Sequence, residues 1–337
     1  MSNSILGIDV AKETFQVTLL HAEQSRRAEF PNEPKGFAQL ARWLAKRGVQ
    51  HVHACLEATG RYGDELAEFL HQAGHTVSVV NPARTKAYAQ SRLARNKTDQ
   101  VDGDVIADFC RTQQPAAWTP PAPEIRELQA LMRHLQALEQ MHQQEANRLS
   151  AGVPSPTVRE TIQAHLDFLA AQLQQLQQQV HDHIQSHPAL KAQFELLRSI
   201  KAIGDRTAYR LVAKDLRRYD DARAAVADAG LNPRVVTSGV FKGRTRLSKI
   251  GDADLRKALY FPAVVAIQHN PVIKQFCARL AKRGLCNMAL IGAAMRKLLC
   301  LAYGVLKSGQ PFDPHYAANK KREKAAAQPL ASLVCLG

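Results

Sequence analysis

The stretch "SILGIDVA" at residues 4–11 decides the fold, because it is a short apolar run that closes on a polar residue. A bounded apolar run of this length is typical of a buried β-strand. The stretch "FQVTLLHA" at 15–22 follows after three residues and is predicted to pair with the first strand as a hairpin. The stretch "RRAEFPN" at 26–32 is predicted to supply a third strand.

Helix and strand patterns alternate beyond this hairpin. Helical spacing is found at 34–48, where Phe37, Leu40 and Leu44 share one face, and again at 63–74 and 99–112. Strand patterns are found at 51–60 and 75–82. Thr98 is predicted to cap the helix that starts at Asp99. This order predicts a mixed α/β layer fold for residues 1–118.

A proline-rich linker at 115–124 separates this region from a leucine-rich one. Leucines recur at steps of three and four residues in two stretches that are interrupted by "SAGVPSP" at 150–156, which predicts an antiparallel coiled coil over 119–189. The repeated positions are Leu128, Leu131, Leu135, Leu138, Leu166, Leu169, Leu173, Leu176 and Val180. A helical domain is predicted over 190–315, followed by a flexible tail at 316–337.

Composition and charge favour a polyanionic partner. The chain has 337 residues, 45% of them hydrophobic and 22% charged, with a formal net charge of +15. Each phosphate that a Lys or Arg neutralises releases condensed counterions, so this surplus favours nucleic acid, with solubility as the alternative. The sequence shows neither an apolar run close to the roughly 18 residues that cross a bilayer nor a signal peptide. We therefore expect a cytoplasmic protein with no membrane partner.

Six cysteines are scattered along the chain without a CxxC pair or a nearby histidine at zinc-ligand spacing. We expect reduced side chains that lie mostly in the core.

Four carboxylates are placed where a metal site could form. Asp9 ends the first strand and Glu57 a later one, while Asp99 and Asp102 stand at i and i+3 on one helix face. If these elements converge, the four charges repel unless divalent cations lie between them. Mg²⁺ or Mn²⁺ suits such oxygen ligands, and two ions about 4 Å apart would assist phosphoryl transfer. The alternative is that these acids merely cap a helix.

Neighbouring residues receive simpler interpretations. Asp104 and Asp108, on the same helix, are expected to face solvent, and Asp64 to lie in the first turn of its own helix. Tyr62 and Tyr88 flank the acidic strand ends, where they either contact phosphate or pack against the core.

Two groups of basic residues are interpreted as contacts to phosphate, with a solvated loop as the alternative. The first group lies just before the paired aspartates and contains Arg84, Lys86, Arg95 and Lys97, with Arg92 between them. The second group contains Arg234, Lys242, Arg244, Arg246, Ser248, Lys249, Arg256 and Lys257.

Several motifs, taken as a set, resemble a known family. They are "GIDVAK" at 7–12, "EATGRY" at 57–62, "NPARTKAYAQSRLARNKTDQVDGDVIADFC" at 81–110, "AGLNPRVVTSG" at 229–239, "GRTRLSKIGDADLRKALYFPA" at 243–263 and "AYGVLKSGQPFD" at 302–313. From residue 5 to about residue 313 the chain resembles Piv-type DNA invertases and the insertion-sequence one-ten (IS110) family of transposases.

The resemblance implies an RNase H-like (RuvC-like) N-terminal domain, a coiled coil and a helical transposase domain. It places an Asp-Glu-Asp-Asp tetrad on Asp9, Glu57, Asp99 and Asp102, and a nucleophilic serine on Ser238. It implies recombination of double-stranded donor and target DNA, guided by a structured non-coding bridge RNA. It also implies homodimers that form a tetrameric synaptic complex on the bacterial nucleoid.

The chain departs from the family pattern at two points. The usual Ile-Pro-Gly-Ile-Gly is replaced by "IKAIG" at 200–204, and Gly103 stands where alanine is common and is expected to loosen its helix. Ser248 stays open as an alternative nucleophile or a phosphate contact, and a Ser-Gly turn without chemistry is the third interpretation of Ser238.

Three functions are consistent with these residues. The first is a recombinase that uses a covalent phosphoserine. The second is a metal-dependent, structure-selective nuclease without a covalent step. The third is a basic scaffold that binds nucleic acid without catalysis.

Overall fold

The computed structural model describes residues 4–58, 60–92, 99–234, 237–238, 241–242 and 246–316, without the side chains of 99–102, 237–238 and 241–242. The chain divides into two compact units, Met1–Pro121 and Ala122–Gly337. Of the predicted tail at 316–337, only Tyr316 belongs to the described residues.

Unit 1 is built on a mixed five-stranded sheet in the order β3-β2-β1-β4-β5. Its strands are β1 Ser4–Val10, β2 Thr14–His21, β3 Gln24–Pro31, β4 Val52–Glu57 and β5 Thr76–Val80. β1, β2 and β3 pair antiparallel, while β4 runs parallel to both β1 and β5. The predicted hairpin and third strand are confirmed, and the sheet is consistent with the RNase H-like fold.

Four helices accompany this sheet, namely α1 Pro34–Ala45, α2 Asp64–Gln72, α3 Pro82–Ser91 and α4 Asp99–Gln113. Three were predicted, and Asp64 begins α2 as expected. Helix α3 was not predicted because Thr85 is its single buried residue, so it shows no apolar periodicity. Its start is fixed by Asn81, whose side chain accepts a hydrogen bond from the Ala83 backbone N–H, and by Pro82. The predicted cap Thr98 lies outside the described residues.

The two faces of the sheet carry different cores, because successive strand residues point to opposite sides. Leu6 and Ile8 of β1 pack in the cluster that includes α1 and α2. Ile5 packs instead with Ile106 and Cys110 of α4.

Helix α4 approaches β1 so closely that only glycine fits beneath it. A Cβ added at Gly7 would lie 2.4 Å from the backbone nitrogen of Ala107 and 2.5 Å from the carbonyl oxygen of Gly103. Gly103 is itself buried, and a Cβ there would lie 3.1 Å from the Thr18 hydroxyl. The expected loosening is therefore corrected, since α4 continues through Gly103 and uses the glycine for close packing against β2.

The expectation that Asp104 faces solvent is wrong. Its carboxylate is half-buried, accepts a hydrogen bond of 2.9 Å from the Thr18 hydroxyl and forms an ion pair with Arg27. These partners belong to β2 and β3, so Asp104 ties the start of α4 to the antiparallel half of the sheet.

Asp108 is also half-buried rather than solvent-facing. It accepts a hydrogen bond of 2.7 Å from the Tyr88 hydroxyl and pairs with Arg111 at 2.5 Å and with Arg92 at 3.2 Å. Burial by itself raises the pKa of this carboxyl, but these donors more than offset it and hold the pKa below its ordinary value. Asp108 thereby joins α3 to α4.

In its described residues, unit 2 consists of helices and four two-residue strands. Its helices are α5 Pro123–Ser150, α6 Pro156–Ser186, α7 Pro188–Arg198, α8 Asp205–Ala213, the 3₁₀-helix Leu216–Arg218, α9 Ala222–Asp228, α10 Ala253–His269, α11 Pro271–Ala281 and α12 Asn287–Ser308. The strands are β6 Pro233–Arg234, β7 Thr237–Ser238, β8 Phe241–Lys242 and β9 Arg246–Leu247. They pair as β6 with β9 and β7 with β8.

Helices α5 and α6 lie where the coiled coil was predicted, and the short connection between them makes them an antiparallel pair. Leu128 and Leu135 of α5 and Leu169 and Leu176 of α6 are buried. These leucines share one hydrophobic cluster with the helices that follow, down to Leu306. These leucines therefore belong to the core of unit 2, and the coiled coil stays a prediction.

Helix α12 qualifies the expectation that no segment is apolar enough to cross a bilayer. Among the described helices it alone has the length and composition to do so, with a mean hydropathy of 1.6, and half of that window is buried. Leu298, Leu299 and Ala302 pack in the core of unit 2, while Arg296 is exposed. This distribution is that of a central core helix within the predicted helical domain.

The described cysteines are all free, as expected. Cys55, Cys110 and Cys277 are buried, Cys300 is half-buried and Cys286 is exposed. Cys335 lies beyond the residues that the structure describes.

The segment between α9 and α10 begins and ends at the same place, because its two ends are bonded to each other. The backbone N–H of Asp252 donates to the Asp228 carbonyl at 2.7 Å, and Lys214 reaches both carboxylates, at 2.8 Å for Asp228 and 2.7 Å for Asp252. Gly251 lies between them at a φ of +129°, where a Cβ would stand 2.0 Å from the Asp228 carbonyl oxygen. Lys214 thus fastens both ends of the segment that carries Ser238, and we call this arrangement the Lys214 neck.

Replacement of Gly7 by alanine is expected to destabilise unit 1, because the added methyl group overlaps the backbone of α4. Overpacking of this kind costs about 1–3 kcal/mol or more in the free energy of unfolding. Gly304→Ala is the control, since a Cβ at that position in α12 meets nothing within 4 Å. Thermal denaturation of both variants measures the effect, and an unfolding temperature for Gly7→Ala equal to that of wild type would contradict the close approach.

Replacement of Lys214 by methionine is expected to lower the free energy of unfolding at neutral pH by about 1.5–3 kcal/mol, the contribution of hydrogen bonds to charged groups. Burial alone raises the pKa of Asp252, but Lys214 and the Leu255 backbone N–H lower it overall from its ordinary value of 3.8. The stabilisation is therefore present well above pH 3.8 and is lost as the pH falls through the lowered pKa.

Urea unfolding of wild type and Lys214→Met over a range of pH measures this dependence. The difference between them should be largest near pH 7 and shrink in acid. Lys191→Met is the control because Lys191 is exposed on α7. A difference that does not change with pH would show that the ion pairs contribute nothing.

Candidate active site

Asp9 and Glu57 lie at the ends of two neighbouring parallel strands. In the register of β1 and β4, Ile8 lies beside Leu56, so the next position places Asp9 beside Glu57. Both residues are half-buried. Two residues earlier, Gly7 and Cys55 lie on the α4 side of the sheet, so strand alternation places both carboxylates on that side as well.

The direction of α4 brings its first turn towards these strand ends. Ile5 packs at the level of residues 106–110, and Gly7 at the level of Gly103 and Ala107. Two strand residues span about 6.6 Å, which equals about four and a half helix residues. Asp9 lies two strand residues beyond Gly7. The part of α4 at the same level therefore lies about four residues before Gly103 and Ala107, in the first turn, which starts at Asp99 and includes Asp102.

The residues present suit a divalent metal in type, although only part of the predicted set is described. Asp9 and Glu57 supply carboxylate oxygens, which are the ligands that Mg²⁺ and Mn²⁺ prefer. The side chains of Asp99 and Asp102 lie outside the described residues. Among the side chains that are described, no group of three or more His, Cys, Asp or Glu could hold a metal ion.

Thr85 contacts Glu57, and the sequence analysis missed it. Its side chain is 2% exposed, and its hydroxyl donates a hydrogen bond to Oε1 of Glu57. The Pro82 carbonyl lies 2.9 Å from the same hydroxyl, whose single hydrogen serves one acceptor at a time, with the charged carboxylate the stronger one. Thr85 belongs to α3, the helix without apolar periodicity, so no pattern singled it out.

Basic side chains stand near this end of unit 1. Arg84 and Lys86 are exposed on α3, and the Arg84 guanidinium lies 5.4 Å from the centre of the Phe109 ring. Arg95 and Lys97 lie outside the described residues. Both exposed cations stand on the helix that holds Glu57 through Thr85.

The two tyrosines differ. Tyr62 is 51% exposed after the β4 strand end. Tyr88 instead donates to Asp108 and packs its ring against Phe109 at 5.6 Å, so the packing interpretation applies to it.

The segment with the candidate serine extends from the Lys214 neck as two small ladders. Ser238 lies in β7 opposite Phe241 of β8, and its side chain is outside the described residues. Ser248 is half-buried beside the neck, where its backbone N–H donates to the Asn232 carbonyl at 2.8 Å. The two serines therefore occupy different places, one in the outer ladder and one at the base.

Two arginines face each other across the inner ladder. Arg234 of β6 pairs in register with Arg246 of β9, and both are exposed. Like charges directly opposite on a strand pair are destabilising. Lys249 is exposed nearby at a φ of +55°. A cluster of positive charges attracts anions, and its contact with phosphate stays a prediction. The side chains of Lys242 and Arg244 lie outside the described residues.

Arg256, which was included in the second basic group, also has a structural role. Its guanidinium donates to the carbonyl oxygens of Ala229 at 3.0 Å and Gly251 at 3.1 Å, so it fastens the neck. Lys257, one residue later, is exposed.

Comparison with known proteins identifies the family. Residues 6–154 match the model of the IS110-type DEDD transposases, described as a transposase, and residues 194–278 match the transposase model of the IS116/IS110/IS902 family. The chain is 31% identical over 319 residues to the pilin gene-inverting protein of Moraxella lacunata, which covers 93% of this chain and 98% of that protein. The pilin gene-inverting protein of Moraxella bovis is 30% identical over the same shares.

A further relative is the transposase for insertion sequence element IS1328 of Yersinia enterocolitica, which is 23% identical over 297 residues, 79% of this chain and 84% of that protein. The pattern of matches spans both compact units of the structure. The chain therefore belongs to the IS110 family of transposases, with homology to the pilin gene-inverting proteins, and is an enzyme of a class that cleaves and rejoins DNA.

Proposed function

We propose that the chain is a site-specific recombinase of an insertion sequence, which cuts and rejoins double-stranded donor and target DNA under the guidance of a structured non-coding bridge RNA. The observation that supports it best is the placement of Asp9 beside Glu57 at the ends of two parallel strands. The first turn of α4, with Asp99 and Asp102, is directed to the same end. Acids gathered in this way suit phosphoryl transfer.

Asp9, Glu57, Asp99 and Asp102 would hold Mg²⁺ or Mn²⁺ in this proposal. The bound metal would stabilise charge on the phosphate and on the attacking and leaving oxygens. The protein contributes the fixed positions of the ligands, since Thr85 orients Glu57 and the packing of α4 over Gly7 sets the distance between helix and strands.

Ser238 serves as the nucleophile. Its Oγ attacks the phosphorus, a bond between Oγ and phosphorus forms, and the bond between phosphorus and O3′ breaks. The serine proton passes to a carboxylate, and the departing strand end takes up a proton as a free 3′-hydroxyl. Attack of another 3′-hydroxyl on the 5′-phosphoserine reverses these changes and joins the new strand without an external energy source.

Ser238 is preferred to Ser248 for two reasons. The family resemblance places the nucleophile at the Ser-Gly pair 238–239. Ser248 lies half-buried at the base of the segment, where its backbone is bonded to Asn232, a location that suits support of the ladder better than contact with a DNA strand.

The exposed basic residues position the nucleic acid. Arg234, Arg246 and Lys249 in unit 2, and Arg84 and Lys86 in unit 1, offer cations to phosphates. Contacts of this kind fix orientation without reading base sequence. Delegation of sequence recognition to a guide RNA is consistent with that limit, and the net charge of +15 suits a polyanionic partner.

Homodimers that assemble into a tetramer in the synaptic complex complete the proposal, because four strands must be cut and exchanged. The reaction would take place in the bacterial cytoplasm on the nucleoid. A structure-selective nuclease that uses the same acids with water, and no covalent step, is the second candidate, supported by the same pair of strand-end carboxylates.

A covalent adduct distinguishes these two functions. Labelled DNA that carries an element end and a target is incubated with protein, Mg²⁺ and the RNA transcribed from the non-coding flank of the element, then run on a denaturing gel. We expect a slow band that disappears after protease digestion and that requires the RNA. Ser238→Ala should abolish the band, and Asp9→Asn and Glu57→Gln should lower its rate of formation by about 10³-fold or more.

Two controls make the result specific. Ser248→Ala should keep the adduct, as should Glu160→Gln, which removes an exposed carboxylate on α6. Free nicked product at the wild-type rate in Ser238→Ala would establish the nuclease instead. Loss of the adduct in Ser248→Ala alone would move the nucleophile to Ser248.

Thr85 provides a second test, because it acts on Glu57 without touching DNA. Loss of a side chain that orients a metal ligand typically costs about 10–100-fold in metal affinity or activity. Thr85→Val should raise the Mn²⁺ concentration for half-maximal thermal stabilisation, measured without DNA, by about tenfold or more. Thr85→Ser keeps the hydroxyl and should stay within about twofold of wild type. If both variants need the same Mn²⁺ concentration for half-maximal stabilisation, Thr85 does not contribute to the metal site.

A further inference from the structure

Unit 2 contains a groove that the proposed reaction does not use. Two adjoining clefts, with volumes of about 320 and 400 Å³, share Gln136 and Arg210 in their linings. Together they run between α5, α8 and α10, and we call them the α5–α8–α10 groove. It lies entirely within the residues that the structure describes.

One wall of the groove carries side-chain amides. Gln129, Gln136, Gln140 and Gln143 line it along a single face of α5. Residues 129 and 143 are fourteen apart, so this wall is about 21 Å long. A glutamine amide has two N–H donors and one carbonyl acceptor. One donor of Gln129 is bonded to the Ala213 carbonyl at 2.9 Å, and one donor of Gln143 to the Asn147 side chain at 2.8 Å. The remaining donors and acceptors suit the mixed hydrogen-bonding edges of nucleobases.

The remaining lining is predominantly positive. Its cations are Arg133, Arg206, Arg210, Lys214, Arg218 and Lys257, against the acids Glu139, Asp252 and Asp254. Glu139 binds Arg206 and also Arg210, the latter at 3.1 Å, and Asp252 binds Lys214 at 2.7 Å. Lys214 also binds Asp228 at 2.8 Å, and exposed Lys257 lies 3.9 Å from Asp254. The lining cations still outnumber these acids, so the groove is positive on balance.

An exposed aromatic ring stands at one end. Phe261 lines the groove one helical turn after Lys257, and its side chain is 75% exposed. An apolar ring of this size is normally kept from water, since burial of a phenylalanine side chain is worth about 1.5–3 kcal/mol. A ring that faces a cationic groove is suited to stacking on a base.

We propose that the α5–α8–α10 groove binds a single-stranded stretch of nucleic acid, with a base stacked on Phe261, base edges on the glutamines and phosphates on the cations. The inference deepens the proposed function, on which it rests for the presence of a nucleic-acid partner. A duplex fits less well, because its base faces are hidden within the stack.

Binding is measured with full-length protein that carries Asp9→Asn, so that cleavage cannot interfere. The probes are fluorescent twelve-residue oligouridylate and oligothymidylate, with double-stranded DNA as competitor. We expect Phe261→Ala to weaken binding of the single strand by about 5- to 100-fold, the effect of one lost stacking contact. Lys257→Gln should weaken binding and reduce the salt dependence by about one counterion.

The controls match each change in kind. Phe168→Ala removes an equally bulky ring, 59% exposed on α6, and Lys191→Gln removes an exposed charge on α7. Both should bind as the parent protein does, and thermal denaturation checks that all variants are folded. Tighter binding of the RNA probe identifies a strand read through its 2′-hydroxyls, and equal binding of both probes identifies a groove for either backbone.

Two results would overturn the inference. One is unchanged single-strand affinity in folded Phe261→Ala. The other is a fall in oligomeric mass in that variant with unchanged affinity, which would assign the groove to contact between copies of the chain. Single-strand binding is measured with a cleavage-deficient protein. The result can therefore be interpreted even if no phosphoserine adduct is found in the cleavage assay.

Discussion

The direct contact between helix α4 and strand β1 is the constraint on which unit 1 depends. At Gly7 the two backbones are so close that no Cβ fits between them. This contact fixes the height of α4 above the sheet, and the spacing of helix and strand residues then determines which helical turn faces which strand position. The first turn of α4 is thereby directed to the strand ends that carry Asp9 and Glu57. Close packing at Gly7, together with the ion pairs of Asp104 and Asp108, thus determines where the acids lie.

The sequence predicted the strands, their hairpin and the helices of unit 1 with apolar periodicity, because burial of alternate or three-to-four-spaced residues leaves a readable pattern. It could not predict α3, which buries one residue, or β6–β9, whose two-residue strands have no period. Asp104 and Asp108 were assigned to solvent because their partners, Arg27 and Tyr88, are distant in sequence. Asp9 and Glu57 could be selected as site residues because the ends of strands can be predicted from sequence. Thr85 could not, because it lies on a helix without apolar periodicity.

In unit 2, ion pairs and side-chain bonds to the backbone fasten the segment with Ser238. The segment with Ser238 has ladders too short to hold themselves, so the ion pairs of Lys214 and the backbone bonds of Arg256 fix its two ends. The exposed arginines of the ladder itself have no such role. Sequence alone cannot distinguish an arginine that binds backbone carbonyls from one that is exposed to solvent, because Arg246 and Arg256 belong to the same basic stretch. Their contacts show that Arg256 binds the backbone, whereas Arg246 is exposed.

A site built from carboxylates must be held by something other than its own charges. Neighbouring parallel strands lie about 4.8 Å apart, and two unit charges at about 5 Å repel by about 1–3 kcal/mol for an effective dielectric constant between 80 and 20. Carboxylates placed side by side on neighbouring strands therefore repel each other when both are ionised, which costs stability. The hydroxyl of Thr85, the Asp104 and Asp108 links of α4 and the close contact at Gly7 offset that cost without neutralising it. In the proposed function a bound cation would relieve the remaining repulsion, and the fold arranges the acids that would hold it.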